Sequence, residues 1–127
     1  MIFVGNDWAE AHHDVWVMDE TGSQVAYRRL SEGIEGVSGF HGLVGGFVSD
    51  PADVVVGIET DRGLWVHALV AAGYQVYVIN PFAASRYRDR HHVSGAKSDR
   101  GDAKMLADLV RTDRHLHRQV AGDTPEA

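Results

Sequence analysis

The chain has no cysteine, which excludes disulfide staples and thiolate metal sites. No stretch approaches the roughly 20 apolar residues that a membrane-spanning helix needs. The opening residues, Met1 to Asp7, carry no basic segment and reach a charge at position 7, so they do not read as a secretory leader. A cytoplasmic protein is the expectation. Glycines cluster at Gly42, Gly45 and Gly46, but no lysine follows them and they do not form a phosphate loop. The histidine pairs His12-His13 and His91-His92, with His115 and His117, lack the H-E-x-x-H spacing of a zinc site, and adjacent histidines rarely turn to one centre.

Positive charge is scarce where most of the chain lies. Residues 1–80 hold 3 Lys and Arg against 11 Asp and Glu, whereas residues 81–127 hold 9 against 7. The net charge of −6 argues against a polyanion partner, while the concentration of cations in the last third argues for one polyanion-facing side. With 127 residues and 44% hydrophobic content, the chain suits one globular domain with its own core.

Residues 2–8 start apolar and end polar, as a buried strand does on reaching an edge. Residues 14–19 and 24–30 read as two further strands joined by the turn signal Thr21-Gly22-Ser23. From 32 to 48 the apolar residues Ile34, Val37, Phe40, Val44 and Phe47 mark one helical face, with Ser31 as N-cap. Asp53 to Glu59 is a continuous apolar run ending in an acid and suits a strand buried on both faces. A helix over 63–72 closed by Gly73, then a strand over 74–79 stopped by Asn80-Pro81, follow. Residues 82–93 are basic and aromatic, 94–96 read as a loop, and 99–114 form an amphipathic helix with Ala103, Leu106, Ala107 and Val110 on one face. The order βββαβαβ, a basic segment and a helix fits an α/β fold with a mixed five-stranded sheet and helices on both faces, RNase H-like among others. Residues 1–120 are expected to form the domain and 121–127 a polar tail.

Asp7 ends the first strand and Glu59 the fourth, and sites in open α/β sheets gather at the carboxyl ends of strands. Asp99 and Asp102, three apart at a helix start, share one side of its first turn. Carboxylates brought together require protons or a cation, and oxygen-only ligation selects hard ions such as Mg²⁺ or Mn²⁺. Each acid singly reads as well as a loop or cap residue. Asp14 and Asp61 are further acids within reach of that edge, Asp61 the better placed. Arg86, Tyr87, Arg88 and Arg90, then Lys97, Arg100 and Lys104, combine cations with an aromatic ring, a composition suited to nucleic-acid backbone contact. Lys97 is expected beside the acids, facing the phosphate to be cut. Trp8, Trp16 and Trp65 read as core or interface anchors.

The segments Val4-Gly5-Asn6-Asp7-Trp8-Ala9, Val56-Gly57-Ile58-Glu59-Thr60 and Lys97-Ser98-Asp99-Arg100-Gly101-Asp102-Ala103, with Asn80-Pro81, resemble the signatures of DEDD transposases of the insertion-sequence 110 family. The resemblance covers essentially the whole chain. It implies a RuvC-like fold, strand order 3-2-1-4-5, with Asp7, Glu59, Asp99 and Asp102 as a magnesium- or manganese-holding catalytic tetrad. It also implies DNA cleavage and strand exchange in transposition, a structured guide RNA, a dimer or larger assembly, and a C-terminal domain bearing a nucleophilic serine, which these 127 residues lack. Two local departures are Asn6, where the family more often has a hydrophobic residue, and Thr60-Asp61 in place of Thr-Gly. A self-contained Holliday-junction resolvase and an RNA-binding or dimerisation module without catalysis stay open. A sugar-kinase or actin-like ATPase half would need a glycine-rich turn after the first strand, which Asp7-Trp8-Ala9-Glu10 does not supply.

Overall fold

The first three strands pair antiparallel in chain order, β1 (Ile2–Trp8) with β2 (His12–Met18) and β2 with β3 (Gln24–Ser31). The computed structural model describes residues 1–9, 11–90 and 99–120, and of Asp99 and Arg100 the backbone alone. The β2–β3 turn is set by Asp19, whose carboxylate accepts from the Thr21 and Ser23 amides, and by Gly22 at φ 88°. After the helix α1 (Ile34–Gly45), a single turn at Pro51–Asp53 leads into β4 (Val54–Ile58), parallel to β1. Helix α2 (Leu64–Ala71) returns the chain to β5 (Gln75–Val78), parallel to β4. Helices α3 (Pro81–Arg90) and α4 (Asp99–Asp113) follow.

The expected strand order is observed and extended: a two-residue strand β6 (Arg118–Gln119) pairs antiparallel with β5, giving a six-stranded sheet in the order 3-2-1-4-5-6. Its two residues are polar and exposed, so no hydrophobic alternation announces it. Helix α1 starts later than its sequence suggests. Ser31 pairs with His12 as the end of β3, and Gly33, at φ 103°, takes the N-cap position instead. Asn80-Pro81 ends β5 as expected but also starts α3. The Asn80 side chain accepts from the Phe82 amide at 2.7 Å, with Pro81 in the first turn, where its missing N–H costs nothing. The polar tail, 121–127, and the 94–96 loop lie outside the described residues.

The two faces of the sheet carry separate cores. One packs Phe40 and Val44 of α1 and Trp65, Val66 and Leu69 of α2 on Ile2, Val4, Val54, Val56 and Ile58. The other packs Met105, Leu106, Ala107, Leu109 and Val110 of α4, with Ala84 of α3, on Phe3, Met18 and Val55. The even positions of β1 face α1 and α2, and the odd positions face α4, the period of two that a pleated strand imposes.

Helix α4 sits on the sheet at two glycines paired across β1 and β4, Gly5 and Gly57. A Cβ on Gly5 would fall 1.7 Å from the Ala103 carbonyl oxygen and 2.6 Å from the Ala107 nitrogen. On Gly57 it would fall 2.7 Å from the Leu106 carbonyl oxygen and 2.7 Å from Val110 Cγ1. The helix backbone therefore touches the sheet backbone. Further along, the Arg114 guanidinium lies over the Phe3 ring, 5.3 Å from its centroid. Passing Gly5 and then Phe3, α4 runs back against the direction of β1, which brings its first turn to the carboxyl ends of β1 and β4.

Candidate functional site

The last paired residues of β1 and β4 are Asn6 and Ile58, so Asp7 and Glu59 come next, side by side, at the carboxyl end of the two central strands. They share the α4 side with Gly5 and Gly57, in the period-two alternation. Both line a cleft of about 210 Å³ with Trp8 and Thr60. Asp102 projects from the first turn of α4, one residue before Ala103 seats on Gly5, and is buried. A single guanidinium nitrogen, Arg88 Nη2, lies 3.4 Å from Asp102 Oδ1 and 3.7 Å from Glu59 Oε1. Asp102 and Glu59, 43 positions apart in sequence, thus meet across one cation. Among the described residues, no three Asp, Glu or His side chains stand close enough together to hold a metal ion as placed. The donor set is nevertheless all oxygen, and its members already draw a positive charge between them, which is what a hard cation requires.

The other expected site residues distribute unevenly. Asp99 starts α4, three positions before Asp102, and its side chain lies outside the described residues, as do Lys97 and the Arg100 side chain. Arg86 and Arg90 are exposed on α3. Arg88 turns to the acids. Lys104 is paired with Asp108 at 3.1 Å, one helical turn on. Asp14 pairs with Asp7 in the β1–β2 register, but it is bound by Arg29 at 3.0 and 3.2 Å and by the Tyr27 hydroxyl. Burial pushes its carboxyl up, and the Arg29 and Tyr27 hydrogen bonds outweigh that and hold it below the usual carboxylate range. Asp61 is tied to β6 through Arg118 at 2.6 Å. Of the three tryptophans, Trp65 is buried, whereas Trp8 is exposed at the cleft.

Behind Asp7, on the opposite face, lies a polar group that the sequence did not announce. Trp65 Nε1 donates to Asn6 Oδ1 at 2.8 Å. The Asn6 amide nitrogen meets His13 Nδ1 at 2.9 Å, which makes Nδ1 the acceptor and assigns the ring proton to Nε2. His13 Nε2 donates in turn to Glu32 Oε2 at 2.6 Å, which also accepts from Trp8 Nε1 at 3.3 Å. The His13 and Trp65 rings stack at 3.7 Å. The departure at Asn6 is therefore the centre of a satisfied network. The available signal was an amide in the inward phase of an otherwise apolar strand.

Burial pushes the His13 imidazole below its ordinary value, with the Glu32 carboxylate opposing, so the ring is neutral at pH 7. The unfolded chain takes up this proton near pH 6.5 and the folded chain only at lower pH. Folding stability is accordingly expected to fall as pH drops below about 6.5 and to level off below the folded value. Burial of His117 acts in the same direction. The stabilisation from Asp14 is lost separately, below about pH 4. Urea midpoints at pH 7.5 and 5.5 measure the first step. His13→Phe should flatten it to the His117 remainder, and an unchanged pH slope would assign the step elsewhere.

The family model of DEDD transposases of the insertion-sequence 110 type, described as "Transposase", matches residues 4–127. The protein named as the mini-circle transposase for IS117 of Streptomyces coelicolor is 45% identical over 124 residues, covering 97% of this chain and 30% of that protein. The transposase y4uE of Sinorhizobium fredii is 32% identical over 126 residues, covering 97% and 35%. The chain thus spans about a third of the length of the curated relatives it matches. Among solved structures, Thermus thermophilus RuvC bound to a Holliday junction superposes with a TM-score of 0.57 at 14% identity, over 94% of this chain and 99% of that one. A second structure of Thermus thermophilus RuvC superposes at 0.56 and 15% identity. These likenesses establish the RuvC-like, RNase H-type fold for the sheet order and helix placement described above. With a family match over nearly every residue and the glycine-seated helix bringing Asp102 to the ends of β1 and β4, the chain belongs to the DEDD transposase family of the insertion-sequence 110 type.

Proposed function

We propose that this chain is the metal-holding part of a DNA transposase, which cleaves and exchanges DNA strands as a mobile element inserts and excises. The observation that carries the reading is the convergence of acids from separate elements on one sheet end: Asp7 and Glu59 line one cleft, and Glu59 and Asp102 share the Arg88 guanidinium. Asp99 joins them on its three-residue spacing from Asp102. These four would hold Mg²⁺ or Mn²⁺, which when bound supplies Lewis-acid stabilisation of a phosphate oxygen under attack. The protein's own contribution is position. Asp7 and Glu59 are fixed by strand register and Asp102 by the seating of α4 on Gly5. Arg86, Arg88, Arg90, Lys97, Arg100 and Lys104 form the cationic stretch proposed to meet the nucleic-acid backbone. That RuvC is recorded on a Holliday junction supports DNA as the partner. A serine-bearing domain, a structured guide RNA and assembly into dimers or larger complexes are part of the same proposal for the whole protein, of whose relatives this chain spans 30% and 35%.

Melting with and without Mn²⁺ tests the reading. At an ion concentration one hundred times its dissociation constant the folded state gains about 2.7 kcal/mol, a rise on the order of 10 °C for a domain of this size. Asp7→Ala is expected to lose most of that rise. A shift that Asp7→Ala leaves intact removes Asp7 from the site. Cutting of four-way DNA junctions by the 127-residue chain alone would favour a self-contained resolvase instead.

A further inference from the structure

Arg88 stands apart from its neighbours on α3. Arg86, Arg88 and Arg90 are all exposed, but Arg88 places one nitrogen 3.4 Å from Asp102 and 3.7 Å from Glu59. The helix that carries it is fastened to α4 one residue earlier. The Tyr87 hydroxyl donates to Asp108 Oδ2 at 2.5 Å, and Lys104 Nζ reaches the same oxygen at 3.1 Å. The base of the Arg88 side chain is therefore fixed, and its guanidinium reaches the acids from a rigid support.

We infer that Arg88 is an internal counter-cation of the metal site, pairing Glu59 with Asp102 until a divalent ion displaces it. The inference rests on the reading of these two acids as metal ligands. Two like charges converging on one sheet end repel unless a cation stands between them. Arginine keeps its charge at every working pH and so performs that task continuously. Its hold is loose: 3.4 and 3.7 Å exceed the 2.7–2.9 Å of a strong charge-assisted hydrogen bond. The Arg88 and Glu59 side chains are also 41% and 43% exposed, so water competes for both. A compact ion of double charge held by the same acids would compete with the guanidinium and repel it. Arg88 thus keeps the acids together without metal and opposes metal entry by the value of its own contacts.

Mn²⁺ titration calorimetry on the 127-residue chain and its Arg88→Gln and Arg88→Lys variants tests the competition. Arg88→Gln should bind Mn²⁺ more tightly by about 1.5- to fivefold, the range set by a part-exposed ion pair, and Arg88→Lys should stay near the parent. In parallel, melting in EDTA of Arg88→Gln, Asp102→Asn and the double variant tests the pairing without metal. The double variant should melt higher than the sum of the two single losses predicts. Unchanged or weaker Mn²⁺ binding in Arg88→Gln, with the parent binding normally, overturns the inference and leaves the metal reading standing. Additive losses in EDTA overturn it as well. Failure of the parent and Arg88→Gln alike to bind Mn²⁺ removes the metal reading itself, and the inference with it.

Discussion

Gly5→Val is expected to lower stability by about 3 kcal/mol or more and to abolish the Mn²⁺-dependent rise in melting temperature. The cause is backbone overlap. The new Cβ would lie 1.7 Å from the Ala103 carbonyl oxygen and 2.6 Å from the Ala107 nitrogen, inside one hydrogen-bonded turn of α4. No rotamer change relieves a contact between Cβ and backbone, so the helix must lift. Ala103 follows Asp102 directly, and lifting the helix there takes Asp102 away from Glu59 and Asp7. A loss of this size is a large fraction of the 5–15 kcal/mol that holds an ordinary domain together. Gly42→Ala is the matching control. It lies inside α1 with nothing within 4 Å of its added Cβ, and it should gain about 0.5–1 kcal/mol. Urea midpoints of the three proteins measure both effects. Equal midpoints for Gly5→Val and the parent would mean that α4 is not seated on β1 at Gly5.

Gly5 and Gly57 also show what the sequence carried and how far it went. Both stand inside the segments that gave the family resemblance, two residues before Asp7 and Glu59, so the sites of closest helix approach were on view without their purpose. The central strands were legible because β1 and β4 are apolar runs that end in an acid, a pattern set by burial and by the sheet edge. The common end of Asp7 and Glu59 follows from β1 and β4 being parallel neighbours. The start of α1 was misplaced because Ser31 suits a cap by composition, yet the β2–β3 register extends the strand through it. The role of Arg88 was hidden for a different reason. In sequence it is one cation among several, and the fastening of Tyr87 to Asp108, 21 positions away, holds the helix that brings it to Glu59 and Asp102. Long-range placement of this kind has no local periodicity to betray it.

Asn6→Leu is expected to cost about 2–6 kcal/mol, because it leaves two buried polar groups without partners at about 1–3 kcal/mol each. Asn6 is fully buried, accepts from Trp65 Nε1, and donates to His13 Nδ1. Leucine fills a similar volume but satisfies neither, so the loss is one of hydrogen bonding rather than of packing. A triple variant, Asn6→Leu with His13→Phe and Trp65→Phe, removes the polar atoms together and should recover most of the loss, since an apolar replacement of all partners approaches neutrality. Chemical denaturation of the single and triple variants measures this difference. A single variant as stable as the parent would show that the network contributes nothing net. The position of Asn6 adds a functional consequence: it immediately precedes Asp7, and its side chain ties the end of β1 to α2 through Trp65 and to β2 through His13. The single variant should therefore also bind Mn²⁺ more weakly than the triple variant at a temperature where both are folded, because only the single variant has reason to loosen the strand end that holds Asp7. Equal affinities in the two would separate the network from the acids and confine its role to stability.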